Sequence, residues 1–147
     1  MKAVNDISKE VLASVKAAIG AAEKRTSGEI RVYMEDSSKD EPLDRAAYLF
    51  NKLGMNATAA RNGVLIYVAL KDRRFCIIGD KGIHEKVGLD FWNDISEKMT
   101  EQFRSGNIFG GLNTAITSAG EALATYFPYT SDDRNELSDD VILGDSE

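Results

Sequence analysis

The feature that most constrains the fold is an uninterrupted apolar segment, Val64 to Leu70, which four polar residues separate from a second apolar segment, Phe75 to Ile78. Parallel neighbours need a crossover of about a dozen residues, so these two segments are predicted to form an antiparallel hairpin. The first segment has no polar alternation, which predicts a central strand covered on both faces. Such a strand requires helices above and below the sheet.

The rest of the chain supplies those helices and one more strand. Apolar residues at helical spacing alternate with turn signals, and period-two alternation over Ile30 to Glu35 predicts a strand with one face buried. The predicted helices are 6–24, 42–53, 90–103 and 107–126, with a single turn within 83–89. The predicted fold class is therefore α/β: a three-layer α/β/α sandwich on a small mixed β-sheet, with one parallel crossover and one antiparallel hairpin.

Length and charge indicate one domain with an acidic end. A chain of 147 residues fits a single domain. Between Ser131 and Glu147 there are seven acids and one base, which account for the whole net charge of −6, so the body is neutral. We predict a domain over 1–128 and a disordered acidic tail over 129–147. A neutral body without a basic stripe argues against a nucleic-acid partner.

Several function classes lack their sequence signals. The single cysteine, Cys76, excludes an intrachain disulfide, and its place inside an apolar strand predicts an inert thiol. There is no glycine-rich phosphate loop and no nucleophile elbow, and His84 is the sole histidine. No apolar run reaches membrane-spanning length, and the N-terminus has no apolar signal region. We expect a cytoplasmic monomer that makes no contact with membranes.

Carboxylates remain as the candidate chemistry, and the predicted topology places them at the two ends of the sheet. Ligands bind outside the carboxyl ends of parallel strands, where Glu35, Asp36 and Asp72 are expected to converge. The opposite end gathers a second set, which comprises Glu29, Asn62, Asp80, His84 and Glu85. At the first end, oxygen ligands with no histidine or thiol favour Ca²⁺ or Mg²⁺. Asp72 and Asp80 also suit structural roles as turn residues, and the sequence does not choose between the two ends.

Four short motifs occur in an order that resembles the TPM domain family, which includes a thylakoid-lumen acid phosphatase linked to photosystem repair. The motifs are Thr26-Ser27-Gly28-Glu29-Ile30, Arg61-Asn62-Gly63-Val64-Leu65-Ile66, Lys71-Asp72-Arg73 and Gly79-Asp80-Lys81-Gly82-Ile83-His84-Glu85. The resemblance spans about Ile7 to Pro128. It implies an α/β/α fold, a calcium-binding acidic cleft and, in some members, hydrolysis of phosphomonoesters. Without a signal or membrane segment, the chain resembles the short, soluble bacterial branch of that family.

Two functional hypotheses follow, beside a third in which the chain is a purely structural scaffold that uses its sheet edge or tail. In the first, the chain is a divalent-cation-binding interaction module with an unidentified protein partner, and its metal ligands come from Glu35, Asp36, Asp72, Asp80, Glu29 and Glu85. The alternative is a metal-assisted acid phosphatase, in which a carboxyl group or His84 protonates the leaving group. Apart from the ion, neither hypothesis requires a cofactor.

Overall fold

A computed structural model of the chain describes residues 4–129 and 141–144. Within these residues, five α-helices and four β-strands occur in this order: α1 (Lys9–Glu23), β1 (Glu29–Glu35), α2 (Pro42–Lys52), β2 (Gly63–Ala69), β3 (Arg74–Gly79), α3 (Lys81–Val87), α4 (Leu89–Arg104), α5 (Ile108–Tyr126) and β4 (Val141–Leu143). The predicted helices and the hairpin strands are confirmed. Ser8 and Asn107 cap α1 and α5, because the side chain of each accepts a backbone hydrogen bond from the first turn.

The four described strands form one mixed sheet in the order β3-β2-β1-β4. β1 and β2 are parallel, with registers from Glu29 beside Gly63 to Glu35 beside Ala69. β2 and β3 are antiparallel, and the tight turn between them places Arg73 in the left-handed region at φ 55°. The predicted parallel crossover and hairpin are therefore confirmed.

Two apolar cores lie on opposite faces of the sheet. The larger core packs one face against α1, α4 and α5, with Ile66 and Val68 contributed by β2. The smaller core packs the other face against α2, with Leu65 and Tyr67 from the same strand. Every residue of β2 is buried. The three-layer sandwich and the doubly covered central strand are thus as predicted.

The prediction that β1 exposes one face is wrong. Its polar residues Arg31 and Glu35 are both buried. Arg31 Nη1 donates to the carbonyl oxygen of Leu53, which follows α2, and Glu35 binds Arg45 of α2. The alternation in β1 therefore does not separate a buried face from an exposed one. Its apolar face packs in the larger core, and its polar face is covered by α2.

Part of the predicted disordered tail belongs to the sheet. Val141–Leu143 form β4 and pair in parallel with Val32–Met34 of β1. The prediction of disorder is wrong for these three residues. Residues 130–140 and 145–147 of the predicted tail lie outside the described residues. Charge composition gave no sign that this short apolar segment adds to the edge of β1.

Candidate functional site at the two ends of the sheet

At the carboxyl end of β1, Glu35 is held by α2 and β2. Its carboxylate accepts hydrogen bonds from Arg45 Nε at 2.8 Å and Nη2 at 2.9 Å, and from the Tyr67 hydroxyl at 2.5 Å. Burial raises the pKa of Tyr67, and the hydrogen bond to Glu35 raises it further. The hydrogen bond with Glu35 also raises the pKa of Arg45. Both oxygens of Glu35 are therefore engaged inside the fold.

Asp36 is buried next to Glu35 but is less fully bonded. Its Oδ1 accepts a hydrogen bond from the backbone N–H of Val4 at 2.8 Å. Its Oδ2 is buried and accepts no hydrogen bond within the described chain. The Nζ atom of Lys71 lies 3.7 Å from that oxygen, a distance that gives charge attraction without a hydrogen bond.

Backbone bonds bring Asp72 to the same edge of the sheet as Asp36. The N–H of Lys71 donates to the Asp36 carbonyl oxygen at 2.8 Å, which fixes the hairpin turn against the end of β1. Asp72 Oδ2 accepts from the N–H of Ser38 at 2.9 Å, and Ser38 Oγ accepts from the N–H of Asp40 at 3.1 Å. Asp36 and Asp72 therefore lie at the same edge of the sheet, whereas Glu35 is bound to α2.

At the opposite end, Asp80 joins three segments of the chain. Arg61 Nε donates to Asp80 Oδ2 at 2.7 Å and Nη2 donates to Oδ1 at 3.0 Å. Oδ1 also accepts from the N–H of Lys81, so Asp80 is the N-cap of α3. The hydrogen bond with Asp80 raises the pKa of Arg61. The N–H of Gly82 donates to the Arg61 carbonyl oxygen at 2.8 Å, which completes a rigid joint between β2 and α3.

The remaining candidates at this end do not join that carboxylate in a cluster. Glu29 is buried at the start of β1, whereas Glu85 is exposed on α3. His84 is exposed, and its Nδ1 accepts a hydrogen bond from Trp92 Nε1 at 3.0 Å, which assigns the proton of the neutral ring to Nε2. Among residues 4–129 and 141–144, no group of three or more His, Cys, Asp or Glu side chains is arranged to hold a metal ion.

The first sequence motif has a structural role at the same end. Thr26 Oγ1 donates a short hydrogen bond to the carbonyl oxygen of Phe127, at the C-terminus of α5. The same hydroxyl oxygen accepts from the N–H of Gly28 at 2.9 Å. A Cβ at Gly28 would lie 2.7 Å from the side chain of Leu123. This motif therefore ties the start of β1 to the end of α5.

Sequence reasoning missed Arg45, Arg61 and Tyr67 as partners of the acids. Tyr67 lies within the apolar segment that predicts the central strand, and the one signal for its role was that a buried tyrosine hydroxyl usually needs a partner. The position of Arg61 beside Asn62-Gly63 in the second motif was the one available signal for its role.

Comparisons with known proteins agree with this architecture. The family model of the TPM domain matches residues 3–122. The chain is similar to the BA42 protein of the psychrophilic bacterium Bizionia argentinensis, with 45% identity, a TM-score of 0.87 and coverage of 95% of this chain and 96% of that one. The search of curated proteins gave no match.

Two more distant solved structures share the fold. The N-terminal domain of a protein from P. gingivalis is 23% identical, with a TM-score of 0.68 and coverage of 84% of this chain and 80% of that one. The N-terminal domain of the cg2496 protein from Corynebacterium glutamicum is 15% identical, with a TM-score of 0.62 and coverage of 91% and 85%. In the part of the chain that the structure describes, no helix has the length and apolarity to cross a membrane. Because the family model spans well over half of the sequence, the chain belongs to the TPM domain family.

Proposed function

We propose that this TPM domain binds a divalent cation, Ca²⁺ or Mg²⁺, at the carboxyl end of β1 and β2, and that it acts as an interaction module for a protein partner. Asp36 and Asp72 are the proposed acidic ligands. The observation that carries the proposal is Asp36 Oδ2, which is buried without a hydrogen bond in the described chain. A buried carboxylate oxygen is costly unless a donor or a cation accompanies it. The Nζ atom of Lys71 attracts Asp36 Oδ2 from 3.7 Å, but at that distance it donates no hydrogen bond to the oxygen.

The donor chemistry at this edge fits a hard cation. Ca²⁺ and Mg²⁺ prefer carboxylate, carbonyl and water oxygens. Asp36 and Asp72 belong to adjacent segments, which are held together by the bond from the Lys71 N–H to the Asp36 carbonyl oxygen and by the bond from the Ser38 N–H to Asp72 Oδ2. Glu35 and Asp80 are left out of the proposed site because arginine occupies both oxygens of each. With two acidic ligands we expect a dissociation constant of roughly 10⁻⁴ to 10⁻³ M, as in weak calcium modules.

Titration of CaCl₂ into ¹⁵N-labelled protein tests the location of the site. The expected result is a saturable shift of amides within 34–40 and 70–73 at millimolar ion. Asp36→Asn and Asp72→Asn are each expected to weaken binding at least about tenfold, because each removes one of the two anionic ligands. Asp94→Asn on the exposed face of α4 is the matched control and should leave binding unchanged. Shifts centred on Asp80, or no shifts at all, would contradict the proposal.

Substitution of Lys71 gives a second test, with the opposite sign. Lys71→Met removes the cation that neutralises Asp36, so calcium affinity is expected to rise by about threefold to tenfold. Lys39→Met removes the same charge from the neighbouring loop, where the side chain is exposed, and should change affinity less. Equal effects of the two substitutions would show that Lys71 does not compete with the ion.

Phosphomonoester hydrolysis is the alternative, and its support is the family resemblance. The candidate nucleophiles are poorly placed for it, since Asp80 is bound on both oxygens by Arg61. Burial raises the pKa of the Cys76 thiol to about 11, which leaves little thiolate at neutral pH. Hydrolysis of para-nitrophenyl phosphate that Asp72→Asn or Asp80→Asn abolishes in folded protein would favour the enzyme. Activity that survives both substitutions would indicate a contaminant.

A further inference from the structure

The outer edge of β3 has no partner strand among the residues that the structure describes. β3 stands at one end of the sheet order β3-β2-β1-β4 and pairs with β2 on its inner side. The N–H of Asp80 donates to the carbonyl oxygen of Gly63, and these two residues continue the β2–β3 register by one pair. Backbone bonds alternate along antiparallel strands, so every second residue of β3 directs its N–H and C=O groups away from β2. These outward residues are Phe75, Ile77 and Gly79.

This edge carries none of the features that usually protect an edge strand. Charged residues, prolines and bulges discourage pairing with another chain. Between Phe75 and Gly79 the sequence has no charge and no proline, and the β2–β3 register runs without a bulge. Four of these five residues are partly exposed, and Ile77 is buried. The edge therefore suits pairing with a further extended strand.

An exposed apolar flank of α2 adjoins the same edge. α2 packs on β2 and β3, and its Arg45 points toward β1, where it binds Glu35. Leu43 and Ala47 each lie two residues from Arg45, which is about 200° around a helix, so they lie on the side of α2 that faces the β3 edge. Both are exposed, and Leu43 is 61% exposed. Together with two partly exposed side chains of β3 they form an apolar band, which consists of Leu43, Ala47, Cys76 and Ile78.

We propose that the outer edge of β3 pairs with the same edge of a second copy of this chain about a two-fold axis, which extends the sheet across both copies. In the antiparallel register centred on Ile77, Ile77 is opposite itself and Phe75 is opposite Gly79. Every outward residue then exchanges both of its backbone hydrogen bonds with an outward residue of the second copy. This dimer replaces the monomer expected from the sequence. It goes beyond the proposed cation binding and does not depend on it, because the edge of β3 contains neither Asp36 nor Asp72.

The side chains beside this register complement their own copies, which favours a second copy of the chain as the occupant. Cys76 is level with Ile78 of the second copy, so two partly exposed apolar side chains cover each other. Arg74 is level with Asp80 of the second copy, which brings opposite charges together. Because paired strands are about 4.8 Å apart, the two α2 axes are separated by roughly 10 Å, a distance at which helices pack. The apolar bands of the two copies therefore bury each other.

The mass of the full chain in solution tests the dimer. Gel filtration with light scattering is carried out over a range of protein concentrations, in EDTA so that cation binding plays no part. We expect the mass to rise from monomer toward dimer, and Leu43→Gln to weaken the dimer at least about tenfold, because it removes an apolar contact from both copies. Tyr48→Gln is the matched control. Tyr48 is 54% exposed on the same helix but lies about 140° around it from Leu43, so the control should leave the mass unchanged.

Disulfide formation tests the register. Cys76 is the single cysteine of the chain. In the proposed register it faces Ile78 of the second copy in a pair without backbone bonds, where Cα atoms are about 4.5 Å apart and a disulfide fits. An equimolar mixture of the wild type and the double variant Cys76→Ala/Ile78→Cys should therefore form a disulfide-linked dimer when diamide is added at about pH 9. Each protein alone should form far less, because its two cysteines are then diagonal neighbours about 7–8 Å apart.

The outcomes that would overturn the proposal are distinct in the two experiments. A monomer mass at every concentration, or equal weakening by Leu43→Gln and Tyr48→Gln, would overturn the dimer. Equal cross-linking of the mixture and of the wild type alone, or none in the mixture, would overturn the register centred on Ile77. If the double variant does not fold, the masses of the wild type, Leu43→Gln and Tyr48→Gln still decide whether the dimer forms at this edge.

Discussion

The two ends of the sheet carry acids of the same type but use them differently. Where β3 leads into α3, both oxygens of Asp80 are bound by Arg61, and one of them also caps the helix. Where β1 and β2 end, Asp36 and Asp72 each accept one hydrogen bond in the described chain, and both donors are backbone N–H groups. The first end is a structural joint, whereas the second retains capacity to accept further bonds.

The difference comes from the nature and reach of the neighbouring cation. A guanidinium group donates two parallel hydrogen bonds to a carboxylate and so engages both oxygens. Lysine is a single flexible point charge, and Lys71 stays beyond hydrogen-bond distance of Asp36. A buried carboxylate beside lysine is therefore a better candidate ligand than one beside arginine.

The largest expected effect tests the rigidity of the joint. A Cβ at Gly82 would lie 2.1 Å from the carbonyl oxygen of Ala60 and 2.6 Å from that of Arg61. Because backbone atoms cannot yield cheaply, Gly82→Ala is expected to lower the free energy of unfolding by about 3 kcal/mol or more. Urea denaturation measures this loss, and Gly20→Ala, which meets open space, should cost nothing. Similar stability in both variants would mean that the joint deforms easily.

The next effect concerns Glu35, the acid at the carboxyl end of β1 that Arg45 binds. Glu35→Gln is expected to lower the free energy of unfolding by about 2 kcal/mol, because it leaves the partly buried Arg45 without the counter-charge of a buried carboxylate. Glu41→Gln is the matched control, since the Glu41–Arg74 pair is exposed and should contribute less than about 0.5 kcal/mol. Chemical denaturation compares the two variants. If Glu35→Gln matched the control, Glu35 would be as free to bind a ligand as a surface acid.

A direct comparison of the two ends gives a smaller effect. Asp80→Asn is expected to lower the free energy of unfolding by about 1–2 kcal/mol. This loss is smaller than for a fully buried ion pair, because Arg61 is half exposed. Asp72→Asn should cost about 0.5 kcal/mol, because it weakens one bond to a backbone N–H. Urea midpoints of the two variants measure the difference. A larger loss for Asp72→Asn would mean that Asp72 has the structural role and that Asp80 is the better candidate ligand.

A last comparison concerns Cys76 of β3, which lies in the sheet between the two ends. Burial raises the pKa of its thiol from 9.0 to about 11. Between these values the unfolded chain binds fewer protons than the folded chain, so stability falls as pH rises from about 9 to 11. Because the Cys76 thiol is partly exposed, we expect the free energy of unfolding of the wild type to fall by about 1 kcal/mol more than that of Cys76→Ala over this pH range. Denaturant titrations at pH 8.5 and 11 provide the measurement, and equal losses would contradict the burial of the thiol.

Much of the fold followed from local pattern. The four-residue link after Leu70 forced a hairpin, and the unbroken apolar run before it required cover on both faces. Helical periodicity placed α1, α2, α4 and α5, because this signal acts within a few residues of the chain. The candidate acids at the ends of the strands could also be named, since topology alone brings strand ends together.

The state of each acid depended on contacts between segments that are distant in sequence. Arg45 reaches Glu35 only because α2 packs on that face of the sheet, and Arg61 reaches Asp80 across 19 positions. Likewise, nothing in the composition of the acidic end indicated that Val141–Leu143 would pair with β1.

The sequence by itself determined the helices, the hairpin, the doubly covered central strand and the resemblance to the TPM family, because periodicity, loop length and short motifs are local properties of a chain. Only the tertiary structure decided which carboxylates are neutralised and which edge of the sheet is covered. Those outcomes depend on the three-dimensional distance between a charge and its partner, and on which backbone edge remains when the layers have packed.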